Sequence, residues 1–241
     1  MSRKSKPAAP EPKPQRAKPT YFAGRDGLGA YSADPAAFPP SRVIYYNDDF
    51  VMINDMYPKS SVHTLILPRD FSKNVIHPFD AFEDPQFLAQ VKEEVKKAKG
   101  IVAEELRRRY GKFSAAERPR IEAMEADDPP EKLPEGRDWM KDVITGIHAH
   151  PSMTHLHVHV MSRDMVSECM KHRRHYESFN TAFLVDLDSF PLAKDDPRRH
   201  PGRNGILDQD LKCWRCGKNF DHKFSRLRKH LDEEFESWKR E

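Results

Sequence analysis

Cysteine is scarce: three in 241 residues, too few for the disulfide framework of a small secreted domain. No apolar run approaches the roughly 18 residues that span a bilayer, and the N-terminus lacks the hydrophobic segment of a secretion signal. A soluble intracellular protein with no membrane partner is the expectation. A dominant charge is missing as well, since 41 basic and 38 acidic residues leave a formal charge of +3. Attraction to a polyanion must therefore come from local clusters. Hydrophobic residues make up only 37%, enough for one core but too few for a chain packed along its whole length.

What is present is concentrated in a few segments. Residues 1 to 20 carry five prolines and six basic residues against one acid, and read as a disordered basic tail. It continues to residue 40 as an irregular Gly/Pro-rich arm. Strand-like runs then begin at Val43-Ile44-Tyr45-Tyr46, Phe50-Val51-Met52-Ile53 and His63-Thr64-Leu65-Ile66-Leu67, an antiparallel meander. Helical spacing follows from 84 to 110 through Phe87, Leu88, Val91, Val95, Ile101, Val102 and Leu106, bent or broken near Gly100. Residues 113 to 137 are charged and proline-rich, a surface insertion with no catalytic role. Strands at 142 to 148 and 155 to 162, and one at 182 to 186 pairing beside them, complete an α+β domain over 41 to 190. A linker by composition, 191 to 204, leads to a small C-terminal unit over 205 to 241.

The most informative run is His155-Leu156-His157-Val158-His159-Val160. A period of two sends three imidazoles to one face of a strand and the aliphatic side chains to the other. Successive imidazoles would lie about 6 to 7 Å apart, so His157 can face a phosphorus atom while His155 and His159 flank it. Attack on a phosphoric anhydride would give a phosphoramidate that water could open. His148 or His150, just before the turn at Pro151, could protonate the leaving phosphate. A metal site built on the alternating histidines is the competing reading. Cys213-x2-Cys216-x13-His230-x3-Glu234 is a knuckle followed by an i, i+4 pair on one helix face, the pattern of a structural zinc site with two thiolates, an imidazole and a carboxylate. His222 is the other option for the fourth ligand, but lies too near the helix start to share a face with His230. Cys169 is left as a partly buried small residue.

The histidine run, with Gly146 to Met153 before it, resembles the histidine-triad (HIT) superfamily. Asp55-Met56-Tyr57-Pro58-Lys59 with His63 downstream, Lys171 to His175 followed by Ser178-Phe179-Asn180-Thr181, and the Cys-x2-Cys finger extend the likeness to the branch of that superfamily acting on adenylated DNA ends. The fold then implied is a HIT-type antiparallel sheet with helices plus a small zinc-finger domain, in the shorter fungal form without the forkhead-associated domain of animal members. The activity implied is hydrolysis of 5′-adenylated DNA through a covalent histidine-AMP intermediate. By that resemblance His157 is the nucleophile, His155 and His159 hold the phosphate, and His148 donates a proton. Asp55, Lys59 and Ser152 would hold the nucleotide and Lys171 and His175 the DNA backbone. His63 is expected to pack and hydrogen-bond only. Lys223, Arg226, Arg228 and Lys229 on the finger helix suggest a further grip on phosphates. One structural zinc per chain is expected, with adenylated nicked or double-stranded DNA and RNA–DNA junctions as partners, a monomeric state, and the nucleus as location. A HIT hydrolase of small nucleotides and a non-catalytic nucleic-acid-binding module are the alternatives.

Overall fold

The computed structural model describes residues 24–241, so the tail over 1 to 20 lies outside the described residues. A six-stranded antiparallel sheet of order β1-β2-β3-β5-β4-β6 organises the chain. Its strands are β1 (Val43–Tyr46), β2 (Phe50–Asn54), β3 (His63–Pro68), β4 (Val143–His148), β5 (Val158–Ser162) and β6 (Leu184–Val185). The turn from β1 to β2 is closed by Asn47, whose Oδ1 accepts from the N–H groups of Asp49 and Phe50 at 2.9 and 2.7 Å. Among the described residues no helix is long and apolar enough to cross a membrane.

The helices are α1 (Gly29–Ala33), α2 (Phe71–Asn74), α3 (Pro78–Ala81), α4 (Pro85–Tyr110), α5 (Arg118–Glu125), α6 (Arg173–Asn180) and α7 (Phe224–Trp238). Helix α4 starts where Asp84 Oδ1 accepts from Gln86 and Phe87, with Pro85 in the first turn, and ends on three arginines that suit the negative end of the helix dipole. It lays Phe87, Leu88, Val91, Val95, Val102 and Leu106 on one face of the sheet, against Leu156, Val158 and Val160. Each such side chain contributes about 1.5–3 kcal/mol by burial.

Several expectations change. Helix α4 runs unbroken through Gly100, where nothing approaches the missing side chain, and Ile101 is exposed rather than inward. The arm expected to be irregular up to residue 40 instead forms α1 and packs Leu28, Tyr31 and Phe38 on the sheet face opposite α4, with Val43, Val51, Ile53, Leu65 and Leu67. The last strand does lie beside the others as expected, β6 pairing with β4 through Ile147 and His148. The insertion is exposed along α5, yet Glu117 beyond residue 113 is buried. It accepts from Arg107, the Arg137 backbone and the Trp139 indole at 3.0, 3.2 and 2.7 Å, because a buried carboxylate must be matched by donors. The segment read as a linker sends Leu192 into the main core, which Ile206 and Trp238 also join. Leu211, Cys213, Phe220, Leu227 and Leu231 pack with Met161, Met165, Met170, Tyr176 and Phe179, so the C-terminal unit shares its apolar interior with the sheet. Arg137 fastens the end of α7: its guanidinium lies 4.2 and 4.9 Å from the Trp139 and Trp238 ring centres and donates to Trp238 O at 2.6 Å.

Candidate active site

Register places the histidines. His159 sits opposite Leu65 on β3 and Gly146 on β4. A side chain at Gly146 would come within 2.7 Å of Leu184 Cγ and 2.9 Å of the Val185 carbonyl, so this glycine lets β6 close on β4 and bring Phe183 and α6 to the site. His155 and His157 precede the ladder of β5, which begins at Val158 rather than at 155. There β3 ends, and Leu156 N–H bonds to Asn74 O at 2.6 Å instead. The His157 and His159 ring centres are 5.0 Å apart, closer than an ideal strand spacing.

The protons follow from the partners. A backbone carbonyl can only accept, so the 2.8 Å bond between His157 Nδ1 and His155 O puts the His157 proton on Nδ1 and leaves its lone pair at Nε2. A backbone N–H can only donate: Lys59 N–H bonds His63 Nδ1 at 3.0 Å, so neutral His63 carries its proton on Nε2 and donates it to His159 Nδ1 at 2.9 Å. His159 is then protonated on Nε2, a buried atom with no protein partner among the described residues. It is a donor in need of an acceptor. His148 stands 4.4 Å from the His159 ring and 4.7 Å from Phe179, and its buried Nε2 likewise lacks a protein partner.

Burial dominates the electrostatics. It lowers His157, with the bond to the His155 backbone and the Asp55 charge opposing, so the lone pair is available near neutral pH. Burial also pushes His148 down to about 3 and His63 to about 4; neighbouring His157 and the Lys59 ammonium add to both shifts, opposed at His148 by a bond with the Ser178 backbone and at His63 by the Asp55 charge. His159 is lowered for the same first reason and by the same neighbours.

The remaining residues fall at different distances. Asp55 Oδ1 accepts from Tyr57 N at 2.7 Å and its Oδ2 lies 3.5 Å from His63 Nε2. Lys59 bends back onto the Tyr57 carbonyl and is close enough to the histidines for its charge to be felt. Ser152 lies in the loop before the triad, and its bonded atom is the carbonyl, which accepts from Arg25 at 3.0 Å. Lys171 N–H donates to His175 Nδ1 at 3.1 Å at the start of α6. Sequence reasoning missed that His63 hydrogen-bonds a triad member directly, and that Gly29 in α1 abuts His155. The first could have been found from β3 neighbouring the histidine strand; the second has no local signal.

A metal on the triad does not fit. Among the described residues Asp55, His63 and His159 bring ligand atoms within 4.8 Å of one another, but His63 Nε2 would have to give up the proton that the Lys59 N–H bond at Nδ1 requires it to keep. Cys213, Cys216, His230 and Glu234 do fit one: their ligand atoms cluster within 4.8 Å, Cys216 Sγ is 3.1 Å from His230 Nε2, and Glu234 Oε1 is 3.2 Å from the same nitrogen. Two sulfurs, one nitrogen and one oxygen suit a closed zinc site, whose chemistry is structural. Arg215 pairs with the other oxygen of Glu234, holding that carboxylate in place. His222 is engaged by Arg173 at 2.8 Å, outside the set.

Comparison with known proteins matches residues 38–166 to the HIT domain and residues 180–237 to the C2HE / C2H2 / C2HC zinc-binding finger. An aprataxin-like protein of Schizosaccharomyces pombe is 32% identical over 216 residues, covering 89% of this chain and 82% of its own. The chain belongs to the HIT family, in its aprataxin-like group. A second aprataxin-like protein, from Saccharomyces cerevisiae, is 32% identical over 219 residues, 88% of this chain and 96% of its own. Among solved structures, the aprataxin ortholog Hnt3 from Schizosaccharomyces pombe matches with TM-score 0.69 at 30% identity, over 90% of this chain and 96% of that one. Hnt3 in complex with DNA matches with TM-score 0.68 at 29% identity, over 89% and 96%. An aprataxin-like chain is thus expected to keep sheet, triad and finger as one unit, as the shared cores here do.

Proposed function

We propose that this HIT hydrolase removes AMP from 5′-adenylated DNA ends through a covalent adduct on His157. The observation that carries the chemistry is the bond from His157 Nδ1 to the His155 carbonyl, which commits Nε2 to nucleophilic attack. In the first step Nε2 attacks the AMP phosphorus, the phosphoanhydride bond to the DNA 5′-phosphate breaks, and a nitrogen–phosphorus bond forms. The resulting positive imidazole keeps its Nδ1 proton on the carbonyl. His159 Nε2–H, which lacks a protein acceptor among the described residues, donates to a phosphate oxygen, and His155 flanks the other side. His148 is neutral in the free protein; a bound phosphate anion opposes its desolvation, and the protonated Nε2 then supplies the proton to the departing 5′-phosphate. In the second step water attacks the same phosphorus, His148 takes its proton, and AMP leaves with Nε2 regaining its lone pair.

Asp55 and Lys59 face the nucleotide side in this reading, with Ser152 on the loop before the triad, and Lys171 and His175 meet the DNA backbone. The zinc held by Cys213, Cys216, His230 and Glu234 supports the fold alone. The DNA-bound relative supports nucleic acid as the partner, adenylated nicks, double-stranded ends and RNA–DNA junctions being the forms expected, with the protein a monomer acting in the nucleus. The test is a nicked duplex bearing radiolabelled 5′-AMP, quenched in denaturant. Label is expected on the wild-type protein and absent from His157→Ala; unchanged AMP release by that variant would refute the reading.

A further inference from the structure

An open cleft of about 560 Å³ has a lining that includes His150, Arg174, Phe183, Arg199, His200 and Arg203, with Asp208 its one carboxylate, and the Phe183 ring stands 5.2 Å from that of His148. Arg199 donates from Nε to Ala193 O at 2.8 Å and from Nη2 to Leu192 O at 2.7 Å, and lies 5.4 Å from the Phe79 ring centre. That guanidinium is fixed in direction before any ligand arrives. Arg174 reaches Asp208 only at 3.8 Å, both side chains being exposed, a pair of little strength. The Arg203 side chain has no hydrogen bond or ion pair among the described residues. Arg199 also reaches Glu83, outside the lining, at 4.0 Å, but within the cleft the cations outnumber the acid, which is costly by itself and becomes favourable against an anion. The crowding is felt nearby: burial first, then the charges of His150 and Arg199, lower His77, against the pull of Asp80.

The cleft is also continuous with the catalytic face. His150 is two residues beyond His148 at the end of β4, where Ala149 N–H bonds to Phe183 O at 2.8 Å. Arg174 is the neighbour of His175 on α6. A chain of phosphates whose 5′ end lay at His157 has this route past His148 and His175 open to it, whereas a lone nucleotide carries no further phosphates to follow it.

We infer that the segment between β6 and the finger is a second nucleic-acid contact, in which Arg199, Arg203 and Arg174 hold backbone phosphates of the DNA strand entering the site. The contact positions substrate without reading its sequence. It rests on the reading of the protein as acting on DNA ends.

The experiment measures binding of a fluorescein-labelled nicked duplex with a plain 5′-phosphate, by anisotropy across a salt series, for wild type, Arg203→Gln, Arg203→Glu and the control Lys96→Glu on the exposed face of α4. Arg203 has no side-chain partner to lose, so both variants should fold as wild type does. Arg203→Gln is expected to weaken binding about five- to tenfold and to reduce the slope of log affinity against log salt by about 1. Arg203→Glu should weaken it further, while release of ammonia from adenosine phosphoramidate, a substrate with no DNA strand to enter the cleft, stays at the wild-type rate. Wild-type affinity and slope in Arg203→Glu would overturn the inference, as would an equal loss in Lys96→Glu. If the wild-type protein itself shows no salt-dependent binding to the duplex, the DNA reading fails first and the cleft falls with it.

Discussion

Substituting Gly29 by alanine tests how the triad is held. Helix α1 crosses beside His155 so closely that a Cβ on Gly29 would stand 2.5 Å from His155 Nε2 and 2.6 Å from Cε1. An ordinary contact needs about 3.5 Å, so the ring or the helix must yield by about 1 Å. The ring matters because His155 flanks the site beside His157, whose proton the His155 carbonyl holds at 2.8 Å. A shift of the ring displaces the flank while leaving the carbonyl in place. A misplacement of about 1 Å at a reacting group costs on the order of 10²-fold in rate, equivalent to about 2.7 kcal/mol in the barrier. Helix α1 is anchored by Leu28 in the core and by the bond from Thr154 N–H to Arg25 O at 2.9 Å, so the imidazole should yield first. Single-turnover AMP release from the adenylated duplex should therefore fall about 100-fold in Gly29→Ala, with the melting temperature changed by only a few degrees. Gly100→Ala is the matched control, since nothing lies within 4 Å of its missing Cβ. It should keep the wild-type rate and gain about 0.5–1 kcal/mol of stability as alanine replaces glycine inside α4. A wild-type rate in Gly29→Ala would refute the claim that α1 sets the position of His155.

Three further outcomes are expected. The acid limb of kcat/KM should lie below the ordinary histidine value of about 6.5, because burial lowers His157; a limb at or above that value would contradict the buried, neutral nucleophile. Stability should fall with pH between about 6.5 and 4, since His63 is pushed down to about 4 and the unfolded chain takes up a proton that the folded chain refuses. At pH 5 that one group costs about 2 kcal/mol, the full stability being present above about 6.5; denaturant melts of wild type and His63→Gln should differ by that much in their acid sensitivity, and identical sensitivities would exclude His63. Arg215→Ala should release the second oxygen of Glu234 and weaken zinc about 10- to 100-fold in competition with a chelating dye, while unchanged affinity would remove Arg215 from the support of the site.

The parts legible in the sequence were those written in local periodicity or fixed spacing. Alternation along 154 to 160 placed Leu156, Val158 and Val160 in the core and the histidines opposite, and the i, i+4 pair of His230 and Glu234 brought both to the cysteines. What stayed hidden depends on contacts between distant segments. The value of Gly29 lies in a neighbour 126 residues away, from the numbering of Gly29 and His155, and no local pattern marks a glycine that needs room rather than a special φ. His63 reads as one more polar residue in an apolar strand until β3 is set beside β5, when its ring becomes the donor that fixes His159. The segment over 191 to 204 looked like a spacer because proline, charge and glycine dominate it. Its few apolar side chains are nevertheless enough to seat it in the main core. Composition reports the average of a segment, whereas docking is decided by one or two residues, here by Leu192.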